Sequence, residues 1–246
     1  MPDPSSEIIY QLKNVARVRQ SNGYAFSLRV PSLRIQRGEK IALIGESGCG
    51  KSTLLDMLAF ILRPTDMDGF SFHADGANAV DIGAAWKKRR RNQLAGLRKK
   101  HLGYVMQTGG LLPFLNVHDN INLSRRMLGM KDDGTVQTLA RELGLSRHLH
   151  KLPSALSTGE RQRVAIGRAL AHRPAIVIAD EPTASVDPFA AEKIMSLFIG
   201  MVEEMNITVI VASHAWRHIK QLGLRRLAHH TRKSPDGRMT ETVVSG

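Results

Sequence analysis

The stretch Lys40-Ile41-Ala42-Leu43-Ile44-Gly45-Glu46-Ser47-Gly48-Cys49-Gly50-Lys51-Ser52-Thr53 decides the fold. Its opening run is apolar and does not alternate with polar residues, the pattern of a strand covered on both faces. From Gly45 to Ser52 it matches the phosphate-binding loop Gly-x-x-x-x-Gly-Lys-Ser. The bare pattern arises by chance in roughly one chain in a hundred of this length, so its context matters. Leu54, Met57, Leu58 and Ile61 follow at helical spacing, which predicts strand, loop, helix. Glycines let the backbone wrap so that its N–H groups face a phosphate, and the helix N-terminus favours negative charge. Lys51 neutralises β and γ oxygens, and Ser52 offers a hydroxyl to a divalent cation.

Two more apolar runs, Ala175-Ile176-Val177-Ile178-Ala179 and Ile207-Thr208-Val209-Ile210-Val211-Ala212, read as further buried parallel strands. Between them Asp187 is placed as an N-cap with Pro188 at the first helical position, opening an amphipathic stretch from Phe189 to Met205. That is a crossover helix. Residues from about 81 to 153 turn basic and helical, and read as an inserted helical lobe. The stretch before Gly38 shows partial alternation. Arg225 to Ser245 resembles two strands joined at the turn Ser234-Pro235-Asp236-Gly237. Both ends are expected as antiparallel additions to the main sheet. The expected fold is therefore α/β: a P-loop NTPase core with a mainly parallel sheet, an N-terminal antiparallel β subdomain and an inserted α-helical subdomain, within a single domain over 1–246.

At 246 residues and 42% hydrophobic the chain can bury a large core. The single cysteine, Cys49, excludes an internal disulfide and fits a reducing compartment. The start, Met1-Pro2-Asp3-Pro4, lacks the basic and apolar pattern of a secretory signal, so export is not expected. No apolar run approaches the roughly 20 residues of a membrane-spanning helix, so a membrane role calls for a partner. The formal charge of +13 suggests an anionic partner: nucleic acid, a membrane leaflet or a nucleotide. Much of it lies in Lys87-Lys88-Arg89-Arg90-Arg91 and Arg98-Lys99-Lys100. These blocks read either as a solvated helix face or as a membrane-surface contact.

The second apolar run ends in Asp180-Glu181. Charged residues commonly end buried strands, but downstream of a phosphate loop Asp180 can hold Mg²⁺ and Glu181 can orient or deprotonate a water. Leu156-Ser157-Thr158-Gly159-Glu160-Arg161-Gln162-Arg163 leads into the apolar segment Val164 to Leu170. Ser157 and Glu160 suit an ordinary capping box, and a capped helix N-terminus is also an anion site.

That segment resembles the signature sequence of ABC ATPases, and its place just before Asp180-Glu181 follows that family's order. Gln107 resembles the Q-loop glutamine, Ala184-Ser185-Val186-Asp187 the D-loop, and His214 the switch histidine. The resemblance implies a homodimer in the ATP-bound state, with each ATP between the phosphate loop (Gly45, Glu46, Ser47, Gly48, Cys49, Gly50, Lys51, Ser52, Thr53) of one copy and Ser157, Gly159 and Glu160 of the other. It implies Glu181 and His214 as catalytic residues, and Ser52, Gln107 and Asp180 around Mg²⁺. It further implies integral membrane permease subunits as partners and a peripheral place on the cytoplasmic face of the cell membrane. The stretch Tyr104 to Asn120, with Leu111-Leu112-Pro113, and the run Gly159 to Arg163 look like the lipoprotein-releasing and macrolide-exporter branch. The alternative is a soluble ABC ATPase acting on nucleic acid or ribosomes. Such relatives usually carry paired cassettes, coiled coils or zinc insertions, so no direct nucleic-acid contact is expected. A catalytically silent subunit is disfavoured by Lys51, Asp180, Glu181 and His214.

Three positions depart from the family pattern. Thr158 stands where the signature usually has glycine, and Ala215 follows His214 where many relatives carry Asp. For the adenine-stacking aromatic Tyr24 is the choice, with Phe26 as alternative and the Arg19 guanidinium as a substitute. His148 with His150, and His229 with His230, read as structural or surface residues because no cysteine or acidic cluster completes a metal site. Met127 and Met130 read as lobe packing or a docking surface. Cys49 reads as a small residue suited to its loop.

Overall fold

The computed structural model describes residues 8–74, 78–214 and 221–245; Ala215 lies outside them. The chain begins with β1 (Ile8–Ser21) and β2 (Tyr24–Gln36), a long hairpin closed at Asn22-Gly23, whose φ values of 51° and 79° suit a tight two-residue turn. Then follow β3 (Lys40–Ile44), α1 (Lys51–Leu58), β4 (Gly69–Phe72), β5 (Val80–Asp81), α2 (Ile82–Lys87), α3 (Arg91–His101) and β6 (Leu102–Val105). Helices α4 (Val117–Met127) and α5 (Thr135–Glu142) lead to α6 (Thr158–Leu170), β7 (Ile176–Asp180), α7 (Pro188–Glu204) and β8 (Thr208–Ser213). Three short strands close the described chain: β9 (Arg225–Arg226), β10 (Ala228–Lys233) and β11 (Met239–Ser245).

The central sheet runs β6-β7-β8-β3-β9, with every pairing parallel. Its apolar runs do not alternate because both faces are buried. Ile41, Leu43, Ile176, Ile178 and Ile210 enter one core, while Ala42, Ile44, Val177, Ala179, Val209 and Val211 enter the other. Burying each of these Val, Leu and Ile side chains stabilises by about 1.5–3 kcal/mol. Helix α7 spans the expected stretch, with Asp187 accepting from the Ala190 N–H at 3.0 Å and Pro188 at its first position. Within 81–153, β6 belongs to the parallel sheet, so α2 and α3 lie on one side of a core strand and α4 and α5, packed against α6, on the other.

The chain ends depart from expectation. Only β9 extends the parallel sheet; β1, β2, β10 and β11 join β4 and β5 in a second sheet, β10-β11-β2-β1-β4-β5. Within it β11 runs parallel to β2, not antiparallel. Strand β4 pairs with one edge of β1, leaving the outer edge of β2 to accept β11. Such a pairing depends on where distant segments meet, and local pattern does not encode it.

Helix α1 also stops earlier than its periodicity suggests. Phe60 takes φ 58° and sits fully buried against Tyr10 and Phe72 at 6.0 and 5.2 Å between ring centroids. A left-handed residue costs about 1–2 kcal/mol. Burial of the ring and its aromatic neighbours together offset more than that. Ile61 is consequently thrown outward and is 55% exposed.

Candidate functional site

The strand order places four distant segments in one row at the carboxyl ends of the parallel strands, where open α/β sheets bind ligands. Gly45 follows β3, His214 follows β8, Asp180 ends β7, and Gln107 lies just beyond β6. A cavity of 650 Å³ opens there, lined by Ser47, Gly48, Gly50, Lys51, Ser52 and Thr53 from the loop and by Gln107, Asp180, Glu181 and His214.

Lys51 is almost fully buried, and its Nζ donates to the carbonyls of Gly45 at 2.8 Å and Glu46 at 3.0 Å. The same ammonium lies 3.3 Å from Glu181 Oε1, while His214 Nδ1 is 2.9 Å from Glu181 Oε2. Each carboxylate oxygen thus has its own partner. Glu181 holds φ 46°, and its N–H donates to the Ala212 carbonyl at 3.0 Å, pinning the turn after β7 to β8. A non-glycine residue in the left-handed region is a strained placement of the kind that clusters at functional sites.

Helix α1 starts with Gly50 at φ 96° and has neither a side-chain cap nor an acidic residue in its first turn. Its orphan amides are therefore left for an anion. Ser52, Gln107 and Asp180 bring a hydroxyl, an amide oxygen and a carboxylate to the same cavity. This hard oxygen set fits Mg²⁺, which typically takes one or two carboxylates and completes its shell with water and phosphate.

Of the adenine candidates, Phe26 and Arg19 line the cavity and face each other across the β1–β2 hairpin. Tyr24, the first choice, is 65% exposed and stands one step nearer the turn, outside the lining. Phe26 also abuts the loop, its Cζ 2.7 Å from where a Cβ on Gly50 would lie. Ser157 and Glu160 form the predicted capping box at the start of α6, with Gly159 in the first turn between them and Glu160 Oε2 accepting from Ser157 N–H at 2.7 Å. The Glu160 carboxyl is held below its usual range, first by that backbone donor, with His148 and Arg163 adding to it. The fold does not bring these three residues to the Lys51 cavity of the same chain. Thr158 Oγ1 accepts from Arg161 Nη2 at 3.0 Å, so its hydroxyl is engaged within its own helix.

Three contacts escaped sequence reasoning. Arg168, inside the apolar face of α6, donates to Gly110 O at 2.7 Å and Gly109 O at 2.8 Å, clamping the segment after Gln107; burial lowers its pKa. His229, read as structural or surface, packs behind the phosphate loop. Burial lowers its pKa most, then Arg226, Lys51 and His230. Asp56 accepts from Tyr104 Oη at 3.2 Å, and its carboxyl is raised by burial, against that hydrogen bond, and by the Asp180 charge. No periodicity or motif marks these residues, because each acts through a contact distant in sequence.

A buried phosphate-loop lysine, a carboxylate in the turn after β7 and a histidine bonded to it define the class: a P-loop ATPase. Residues 28–184 match the ABC transporter family, and the chain belongs to that family and is an ATPase. It is 37% identical over 201 residues to the lipoprotein-releasing system ATP-binding protein LolD of Hyphomonas neptunium, covering 79% of this chain and 84% of that one. To the macrolide export ATP-binding/permease protein MacB of Rhodopirellula baltica it is 37% identical over 190 residues, covering 74% of this chain and 26% of that longer protein. Among solved structures, the dimeric post-hydrolysis state of the ATP-binding cassette MJ0796 bound to ADP and Pi superposes with a TM-score of 0.76 at 29% identity. That match covers 89% of this chain and 93% of the cassette. Among the described residues, no helix is long and apolar enough to cross a membrane.

Proposed function

We infer that this chain is a single-domain motor subunit that couples ATP hydrolysis to integral membrane permease subunits, in a complex of the lipoprotein-releasing or macrolide-export kind. It acts from the cytoplasmic face of the membrane. The observation that carries this reading is the convergence of Lys51, Glu181 and His214 in one cavity while Ser157 and Gly159 stand apart from it. A Cβ on Gly159 would meet only ordinary contacts, 3.5 Å to Ile194 and 3.8 Å to Val186. Nothing among the described residues requires glycine there; a second copy closing over the nucleotide would.

In this reading the orphan amides of α1 and the Lys51 ammonium hold the β and γ phosphates. Ser52, Asp180 and Gln107 would hold Mg²⁺, which neutralises charge developing on the phosphate oxygens. Glu181 takes the proton of a water whose oxygen bonds to the γ phosphorus as the bond to the ADP oxygen breaks. His214 fixes the Glu181 carboxylate, and Ser157 and Gly159 of the second copy complete the γ-phosphate shell. Phe26 and Arg19, better placed than Tyr24, receive the adenine. An apolar groove of 570 Å³, with Ile61, Met106 and Met127 among its walls, lies behind Gln107 and is the docking place for the permease.

The test is turnover of wild type beside Glu181→Gln, with and without the candidate permease and with added DNA or RNA. Loss of the base is expected to cut turnover about 100-fold or more. Nucleotide binding should persist, and light scattering should show dimer accumulating with ATP and Mg²⁺. Stimulation by nucleic acid in place of the permease would overturn the membrane reading.

A further inference from the structure

The phosphate chemistry leaves the most basic part of the surface unused. Between Trp86 and His101 the chain carries eight Lys and Arg residues and no Asp or Glu. Lys87 to Arg91, at the corner between α2 and α3, are all exposed. Among the described residues, none of these five is joined to a carboxylate.

Fold stability does not account for the placement of Arg89, Arg90 and Arg91. Helix α2 ends in a 6→1 and 5→2 hydrogen-bonded turn, Arg90 N–H to Ala85 O at 2.9 Å and Arg89 N–H to Trp86 O at 3.2 Å. The position that glycine normally takes in such a turn is Arg89, at φ 53°. Arg90 and Arg91 then stand at the N-terminus of α3, the end where the helix dipole disfavours cations. Arg89 is thus kept where the backbone opposes it, and Arg90 and Arg91 where the α3 dipole does, whereas Lys87 and Lys88 suit the C-terminal end of α2.

The corner also adjoins the apolar groove. Ile61 belongs both to that groove and to a cleft walled by Trp86, Arg91 and Arg98. Lys99 Nζ donates to the carbonyl of Met127, whose exposed side chain lines the groove. A permease seated in the groove brings this corner close to the bilayer it is embedded in.

We propose that the α2–α3 corner, through Lys87, Lys88, Arg89, Arg90 and Arg91, binds the anionic phospholipid headgroups that surround the permease; this rests on the groove reading above. The attraction is electrostatic, so it requires anionic lipid and fades as the screening length falls from roughly 10 Å at 0.1 M salt to 3 Å at 1 M.

The experiment is flotation of the full chain with vesicles of phosphatidylcholine alone and with added phosphatidylglycerol, across a salt series. Wild type is expected to float only with the anionic vesicles and to be released by salt. The variant Lys87→Gln/Lys88→Gln/Arg90→Gln/Arg91→Gln should lose about 1,000-fold in vesicle affinity, with basal ATPase unchanged as the folding control. If it fails to fold, the smaller Lys87→Gln/Lys88→Gln pair and the salt series carry the test. Equal binding to both vesicle types, salt-insensitive binding, or duplex DNA outcompeting anionic vesicles would each overturn the proposal. Permease stimulation in neutral detergent is measured in parallel. Its survival without vesicle binding sinks only the lipid contact, and its absence beside intact vesicle binding sinks only the permease reading.

Discussion

Gly45 has an ordinary backbone conformation, yet a Cβ there would lie 2.6 Å from Cys49 Sγ and 2.6 Å from His229 Nε2. The loop is wedged against β10, and Gly45→Ala must push one of these groups away. Overpacking of this kind costs about 1–3 kcal/mol, and shifting the loop misaligns the carbonyl that holds Lys51. Calorimetric titration with ATP should show weakened affinity together with a lowered unfolding temperature; unchanged affinity would mean that the loop absorbs the methyl. Gly159→Ala is the opposite case. Its neighbours leave room, so stability should stay within about 0.5 kcal/mol of wild type. Turnover should nonetheless fall, because in the proposed dimer the added methyl meets the second copy. Both glycines belong to motifs legible in the sequence, but only the structure separates the one held by its own chain from the one free of it. The adenine contact was less legible, because Tyr24 and Phe26 share a strand face and the turn geometry alone sets which reaches the loop.

Among elements, those with local signals were readable. Strands β3, β7 and β8 announce themselves as apolar runs, and α6 and α7 by their caps at Ser157 and Asp187. The parallel seating of β11 on β2 and the arginine clamp on α6 were not, since each joins residues far apart in sequence. The clamp makes the segment after Gln107 and helix α6 one unit, supported by Ser124 Oγ donating to Arg168 O at 3.1 Å. Arg168→Met leaves the Gly109 and Gly110 carbonyls without this donor and should cost about 3 kcal/mol. Permease-stimulated turnover should drop more than basal turnover, as a paired ATPase assay would register. Equal losses would indicate a purely structural clamp.

For the whole molecule, acid sensitivity follows from its buried imidazoles. Burial lowers the His172 pKa above all, with His101 nearby adding to it and the hydrogen bond to the Leu102 carbonyl opposing it. His229 shifts the same way. These rings stay neutral in the fold while the unfolded chain takes up protons near pH 6.5. The unfolded state therefore binds more protons just below that pH, and stability falls as pH drops through it, by up to about 1.4 kcal/mol per pH unit for His172. Glu160, whose pKa is depressed, adds a second loss at lower pH, as its folded carboxylate protonates. Unfolding temperature against pH should decline below 6.5, and less steeply in His172→Gln. An identical slope in the variant would assign the decline to other groups.

The three-way contact of Lys51, Glu181 and His214 also sets how the subunit idles. The ammonium that the proposed mechanism gives to phosphate is the counter-ion of the carboxylate to which it gives the proton. In the proposed mechanism substrate has to displace that carboxylate before the water can attack the γ phosphorus, so the base is released by the molecule it acts on. A motor wired this way would keep its base occupied until its fuel arrives.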